Sequence, residues 1–185
     1  MKAIVFTLGC KVNDCESASL SAGLEEMGYE VSAELGYADL YILNTCAVTK
    51  EAEAKSRQLV ARVRRYNPDA PVVVCGCAAE KDADAFLKKG VRLVTGAKRK
   101  DLVLSALSDC GSEISADDKT FERLPDPKQF RTRAYVKVQD GCNHFCSYCI
   151  IPYLRGRTRS KSFAECVREI LSCPSEEIVL TGIDL

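Results

Sequence analysis

Through residue 109, short apolar runs alternate with amphipathic stretches. KAIVFTL (residues 2–8), YEVSA (29–33), DLYILN (39–44), PVVVC (71–75) and RLVTG (92–96) read as strands, and the runs at 39–44 and 71–75 are apolar enough to be buried on both faces. Between them, a helix is predicted over 14–27, with Asn13 and Glu16 spaced like a capping box and Gly28 ending it. A second helix runs from a Thr49 cap to Tyr66, stopped by Asn67-Pro68; a third lies near 80–89 and ends at Gly90; a fourth covers 99–108. Strand–helix alternation of this kind implies an open parallel sheet covered by helices on both faces.

Residues 110–132 break the pattern: they are polar, carry Pro125 and Pro127 and show no sustained period, as expected of an interdomain connection. After them RAYVKVQ (133–139) reads as a strand, 140–161 as a long irregular loop, 162–173 as a helix and EEIVLTG (176–182) as another strand. A strand–loop–helix–strand unit cannot bury its own faces, so a domain cut off after its first repeat is expected. The predicted organisation is a sheet domain at 1–109, a connection at 110–132 and the start of a second domain at 133–185.

Composition narrows the partners. Lys+Arg and Asp+Glu both number 26, which argues against a wholly basic nucleic-acid binder but leaves room for a local basic patch. Apolar runs fall short of the ~18–20 residues of a membrane helix, and Met1–Leu8 enters a strand rather than a secretory leader; no membrane partner and a cytosolic location are expected. Eleven cysteines are the anomaly. In a reducing compartment an odd number points to metal ligands or redox chemistry, with about half simply packed as small apolar groups.

Two groups of cysteines carry chemistry. In GCNHFCSYC, Cys142, Cys146 and Cys149 follow a strand directly with C-x3-C-x2-C spacing. Three thiolates on one loop suit three irons of a cubane cluster and leave the fourth iron open to a small molecule. Zinc closed by His144, or unliganded packing, are the competing readings. In the first domain Cys10, Cys46 and Cys77 each follow a predicted strand, at the carboxyl edge where open α/β sheets place ligands. They could hold a second cluster with one open iron, or be three unrelated packing cysteines. Cys75 is an alternative to Cys77 but alternates within its strand; Cys15, Cys110, Cys166 and Cys173 read as structural. Arg155, Arg157, Arg159 and Lys161, with Arg131 and Arg133, form a candidate basic rim for RNA phosphates beside the cluster loop, against a plain solvated surface run.

C-x3-C-x2-C with Tyr148 before the last cysteine resembles the radical S-adenosylmethionine (SAM) signature, and GCNHFCSYCIIPYLRGRTRSK resembles its methylthiotransferase branch. TLGCKVN, LNTCAV and GCAAE are similar to the three cysteine motifs of that family's N-terminal domain, and TLGCKVN followed by Glu-Ser looks most like the branch acting on threonylcarbamoyladenosine beside the tRNA anticodon. The isopentenyl-adenosine and ribosomal-protein branches are the alternatives within the family. A zinc module and an electron-transfer iron–sulfur protein are the alternatives outside it.

The resemblance implies a flavodoxin-like domain followed by the start of a partial βα barrel, two 4Fe-4S clusters and SAM. It implies reductive cleavage of SAM at Cys142/Cys146/Cys149 and delivery of a methylthio group from Cys10/Cys46/Cys77 to carbon 2 of the adenine. It also implies a tRNA anticodon loop as partner, an electron donor such as flavodoxin or ferredoxin, and contacts to SAM from Tyr148 and Gly182, with some of the arginines as further candidates for its carboxylate. Family members continue through the barrel, so a chain ending at Leu185 is expected to be inactive alone.

Overall fold

A computed structural model describes residues 1–108, 121–122, 124–127 and 133–185. Strand β1 (Lys2–Thr7) leads into α1 (Lys11–Glu26), then β2 (Glu30–Ser32), β3 (Leu40–Thr45), α2 (Lys50–Val63) and β4 (Val72–Gly76). Two short helices, α3 (Cys77–Lys81) and α4 (Ala83–Leu87), precede β5 (Leu93–Val94) and α5 (Asp101–Ser108). The five strands pair in the order β2-β1-β3-β4-β5, every pair parallel. This is the flavodoxin-like order, with its reversal between β1 and β3.

Alternation along each strand feeds two cores. Ile4, Tyr41, Leu43, Val72 and Val74 pack with Leu59, Val60 and Val63 of α2 and Phe86 of α4. Ala3, Val5, Leu40, Ile42, Val73 and Cys75 pack with Leu20 and Leu24 of α1 and Val103 of α5. Every residue of β3 is buried, as a central parallel strand covered on both faces requires. Each fully buried large apolar side chain contributes about 1.5–3 kcal/mol. That collective burial holds the strand ends, and whatever they carry, in place.

Three local expectations are corrected. Helix α1 starts at Lys11 with Cys10 as its N-cap, so Asn13 and Glu16 lie inside it and do not form a capping box. Both are buried, the Asn13 amide bonding the Leu8 and Thr45 carbonyls and the Glu16 carboxylate meeting cations. The single helix expected near 80–89 is two, broken at Asp82, whose carboxylate accepts from Ala85 N and caps the second. Helix α2 ends at Val63 rather than Tyr66, with its Thr49 cap in place.

The later part of the chain holds β6 (Arg133–Lys137), β7 (Gln139–Asp140), α6 (Ile151–Arg155), β8 (Arg159–Ser160), α7 (Phe163–Ser172) and β9 (Glu177–Thr181). The stretch 140–161 is therefore not one loop: α6 and β8 lie within it, with Pro152 in the first turn of α6 where a missing N–H costs nothing. Strands β6 and β9 pair in parallel, β7 and β8 antiparallel. A capping box does occur here, reciprocal between Ser162 and Glu165 at the start of α7. Of the expected connection 110–132, residues 121–122 and 124–127 are described; Cys110 and Arg131 lie outside the described residues. Among the described residues no helix is long and apolar enough to cross a membrane.

Candidate metal centres at the strand ends

The first triad is assembled by register. Thr7 lies beside Asn44 and Thr45 beside Gly76, so one or two residues further on Gly9 comes beside Cys46 and Cys46 beside Cys77. Neighbouring strands are about 4.8 Å apart, which brings the three cysteine-bearing turns together at the carboxyl edge, flanking the reversal point. A side chain on Gly9 would reach within 3.3 Å of Cys46 Cβ. Hydrogen bonds pin each turn. Asn13 Nδ2 donates to Leu8 O at 2.8 Å and Thr45 O at 3.2 Å, tying the β1 and β3 turns. Ser56 of α2 accepts from Cys46 N at 3.2 Å and donates to Cys46 O at 3.0 Å. Thr45 Oγ1 donates to Cys75 O at 2.6 Å and accepts from Ala79 N at 3.3 Å, fixing the turn into α3.

Gly76 has φ of 95°, and any side chain there would run into the Thr45 carbonyl, so only glycine lets β4 turn into Cys77. Cys10 is exposed, whereas Cys46 and Cys77 are 7% and 2% accessible. Burial pushes the Cys77 thiol up, with Arg155 nearby opposing. Cys75 faces the core and burial raises its thiol to about 12, as a packed cysteine should be. Cys15 is also buried and raised to about 12, chiefly by burial; its thiol donates to Tyr135 O at 3.3 Å, joining α1 to β6.

The second triad lies on one loop held at both ends. Gly141 has φ of 74° and backs onto the Arg157 carbonyl with no room for a side chain. Cys142 N donates to Gly156 O at 3.1 Å, and Cys149 N to Cys146 O at 2.9 Å. His144 N donates to Cys142 Sγ across 3.5 Å. Phe145 takes a left-handed φ of 49°, strain of the kind functional loops store. Its ring is braced edge-on by Tyr153 at 5.6 Å and covered by the Arg157 guanidinium at 4.3 Å. Cys146 is exposed, and Cys142 and Cys149 are half-buried. Tyr148 is 90% exposed.

Gly182 follows β9, and a side chain on it would crowd Gln139, whose Oε1 accepts from Ile183 N at 2.8 Å and Asp184 N at 2.9 Å. This brings Asp184 to the loop, 3.7 Å from Cys142 Sγ and 3.0 Å from His144 Nε2. Cys142, His144 and Asp184 offer ligand atoms within 4.8 Å of one another. Sequence reasoning missed Asp184; its signal was an acid just past a strand end at the mouth already assigned to the cysteine loop.

Among the described residues the candidate basic rim is split: Arg157 and Arg133 lie at the surface, whereas Arg155 and Arg159 are buried. Arg155 is 1% exposed. It donates to Glu16 at 2.9 Å, Asp140 at 3.0 Å and Asn13 Oδ1 at 2.5 Å. Arg159 is buried and donates to the Arg155 and Arg157 carbonyls; Lys161 pairs with Glu169, and Arg133 pairs with Glu177 at 2.8 Å. Arg157 alone of the 155–161 series is exposed with its guanidinium over an aromatic ring.

Carboxylates buried between the sheet domain and the later strands draw Arg155 and Arg159 inward, because a buried charge must be paired. Lys137 reaches Glu16 at 2.6 Å, Glu122 at 2.7 Å and Asp140 at 2.7 Å, and Lys100 reaches Glu16 at 2.6 Å. Burial alone would raise the Glu16 and Asp140 carboxyls. Arg155, Lys100 and Lys137 nevertheless hold Glu16 well below the usual carboxylate range, and Lys137 and Arg155 hold Asp140 below it.

Comparison with known proteins bears on the family. Residues 2–96, which contain β1 to β5 and Cys10, Cys46 and Cys77, match the family described as Uncharacterized protein family UPF0004. The Threonylcarbamoyladenosine tRNA methylthiotransferase MtaB of Bacillus subtilis is 36% identical over 197 residues, covering 99% of this chain and 44% of that protein. Its namesake in Chlamydia pneumoniae is 39% identical, over 96% of this chain and 42% of that protein. The tRNA-2-methylthio-N(6)-dimethylallyladenosine synthase of Clostridioides difficile is 34% identical, over 98% and 42%. The chain thus spans less than half the length of these curated relatives. On the sheet, the three strand-end cysteines and this match, the chain belongs to the UPF0004 family of the methylthiotransferases.

Proposed function

We propose that the protein of which this chain is part is a radical SAM methylthiotransferase acting on threonylcarbamoyladenosine in the tRNA anticodon loop. Cys10, Cys46 and Cys77 would hold one 4Fe-4S cluster and Cys142, Cys146 and Cys149 a second. The observation that carries the reading is the pairing of two three-thiol sites, one across three strand ends and one on a loop. This pairing sits in a chain 36–39% identical to proteins named for that reaction. The donor sets fit iron–sulfur clusters: soft thiols, three to a site, with no fourth cysteine in either motif. Once bound, such clusters supply SAM binding at an open iron and one-electron chemistry.

The chain's own residues supply positioning. Asn13, Ser56 and Thr45 orient the first set of thiols, and burial of Cys46 and Cys77 keeps water away. Gly141 and the Cys142–Gly156 bond shape the second loop. In this reading residues 1–109 are the cluster-binding domain, 110–132 the connection and 133–185 the start of the radical SAM domain. Tyr148 and Gly182 border the SAM site, an electron donor such as flavodoxin or ferredoxin serves the cluster, and the work is done in the cytoplasm on tRNA. A second reading, one metal ion on Cys142, His144 and Asp184, has the proximity of those three groups in its favour.

The test has two arms. Anaerobic loading of this chain with iron and sulfide should give two centres, one of which changes its spectrum on adding SAM; zinc alone in the purified chain favours the single-ion reading. The full-length gene, expressed in a host lacking the modification, should add a methylthio group to threonylcarbamoyladenosine in tRNA hydrolysates. Methylthiolation of dimethylallyladenosine instead, or of no nucleoside, overturns the substrate assignment.

A further inference from the structure

Arg155 touches, directly or through one residue, the segments around Cys10, Cys46 and Cys142. It donates to Asn13 Oδ1, and Asn13 in turn holds the Leu8 carbonyl before Cys10 and the Thr45 carbonyl before Cys46. It pairs with Glu16 on the helix that Cys10 caps, and with Asp140, two residues before Cys142. Arg155 itself ends the short helix that follows Cys149. The guanidinium is 1% exposed, and its fork spans acceptors on two elements that share no sheet: α1 of the sheet domain and the β7 end of the later part.

We propose that Arg155 is a positioning residue that locks the two cysteine-bearing regions in one mutual placement, working through Asn13, Glu16 and Asp140. Its value to catalysis rests on the methylthiotransferase reading, in which a group made at one triad must reach a substrate activated at the other. The lock itself does not rest on that reading. A planar fork with several fixed donors can hold three acceptors at set angles, and a lysine ammonium of equal charge cannot.

The experiment separates the two. In the metal-free 185-residue chain, Arg155→Gln and Arg155→Lys should keep the far-ultraviolet circular dichroism of the wild type. Both should show a larger radius of gyration by X-ray scattering. Both should also exchange the amides of 139–142 and 153–155 at least about tenfold faster, with those of Val72–Gly76 unchanged, as expected for a local rather than global opening. Wild-type scattering and exchange in both variants overturns the lock. Recovery by Arg155→Lys alone overturns the role of the fork and leaves charge balance as the explanation.

Should Arg155→Gln fail to fold, Asn13→Ala, which leaves no charge unpaired, carries the same expectation. Collapse of all three variants also overturns the proposal, since a lock between two regions leaves the five-stranded sheet standing. Iron and sulfide for two centres in the loaded wild type tests the functional reading separately. In that loaded form Arg155→Lys should keep both centres and weaken the magnetic coupling between them in electron paramagnetic resonance.

Discussion

Cys10, Cys46 and Cys77 follow three strands and share one sheet edge because a buried sheet aligns those strand ends, whereas Cys142, Cys146 and Cys149 stand within eight consecutive residues and stay near one another through chain length. The first site is therefore a property of the whole domain: its geometry is as stable as the two apolar cores behind it, and two of its thiols are shut away from water. The second is a property of a segment, exposed and held by a few backbone bonds. A site made by the fold is pre-organised and fails with the fold. A site made by the chain survives partial unfolding but needs local pins to choose one shape. What joins the two regions is the ion network around Glu16, and perturbing it should have the largest effects.

Acid is the broadest way to break the comparison, because it discharges several carboxylates at once. Glu16 and Asp140 are held below their ordinary range in the folded chain, and ordinary carboxyls titrate near 4. Groups depressed by folding contribute stability that is complete above the unfolded value and is lost as pH falls toward the folded one. The denaturant midpoint should be level, as far as these groups decide it, from about pH 7 to 5 and fall steeply below about pH 4. Glu16→Gln should make that fall shallower; an unchanged slope would locate acid sensitivity elsewhere.

Glu16→Ala at neutral pH is the next largest perturbation. It strands Lys100, Lys137 and Arg155 around one missing carboxylate, and removing one partner of a buried ion cluster costs about 3–5 kcal/mol. Chemical denaturation measures the loss, and iron loading tests its reach. Both triads should load less well, since Glu16 sits on the helix capped by Cys10 and contacts the arginine that grips Asp140.

This network also marks where the sequence was legible and where it was not. The sheet could be read because apolar runs at 2–8, 39–44 and 71–75 have few alternatives to a buried parallel strand. Both sets of cysteines could be singled out as candidates because strand ends and a short cysteine spacing are local signals. Glu16 and Asn13 were misread as a cap because their spacing fits one. The contrary signal was that Val12, Glu16, Leu20 and Leu24 lie along one helix face, which places a carboxylate on a buried stripe. Arg155 and Arg159 were misread for a related reason. Arg155 turns inward to Asp140, fifteen positions away, and to Glu16 and Asn13, more than a hundred positions away, and no local pattern carries the last two. The strand β8 is only two residues long and exists through pairing with β7, so it too leaves no periodicity to find.

A pair of glycine substitutions sharpens the contrast at intermediate cost. Gly76→Ala forces a side chain into the Thr45 carbonyl beside Cys77, and Gly141→Ala forces one into the Arg157 carbonyl beside Cys142. Backbone strain of this kind costs about 1–3 kcal/mol. Both should lose stability, but Gly76→Ala should lose more, because its turn is tied into β3 and β4, while the loop after Gly141 can shift into solvent. In iron-loaded protein each variant should lose the signal of its own centre and keep the other; loss of both centres from Gly141→Ala would mean that the second site is no less fold-dependent than the first.

The helix caps should give the smallest effects and the cleanest assignment. Thr49 accepts from Ala52 N at 3.1 Å at the start of α2, and α2 carries Leu59, Val60 and Val63 into the core and Ser56 to Cys46. Ser162 accepts from Glu165 N at 3.3 Å while its own N donates back to Glu165 at 3.2 Å, starting α7. Replacing such a cap by alanine costs about 1 kcal/mol. Thr49→Ala should therefore lower the denaturant midpoint modestly and speed alkylation of Cys46, since fraying the first turn of α2 loosens the approach to Ser56. Ser162→Ala should cost a similar amount without changing Cys46, and equal alkylation rates in the two variants would show that α2 does not guard the first triad.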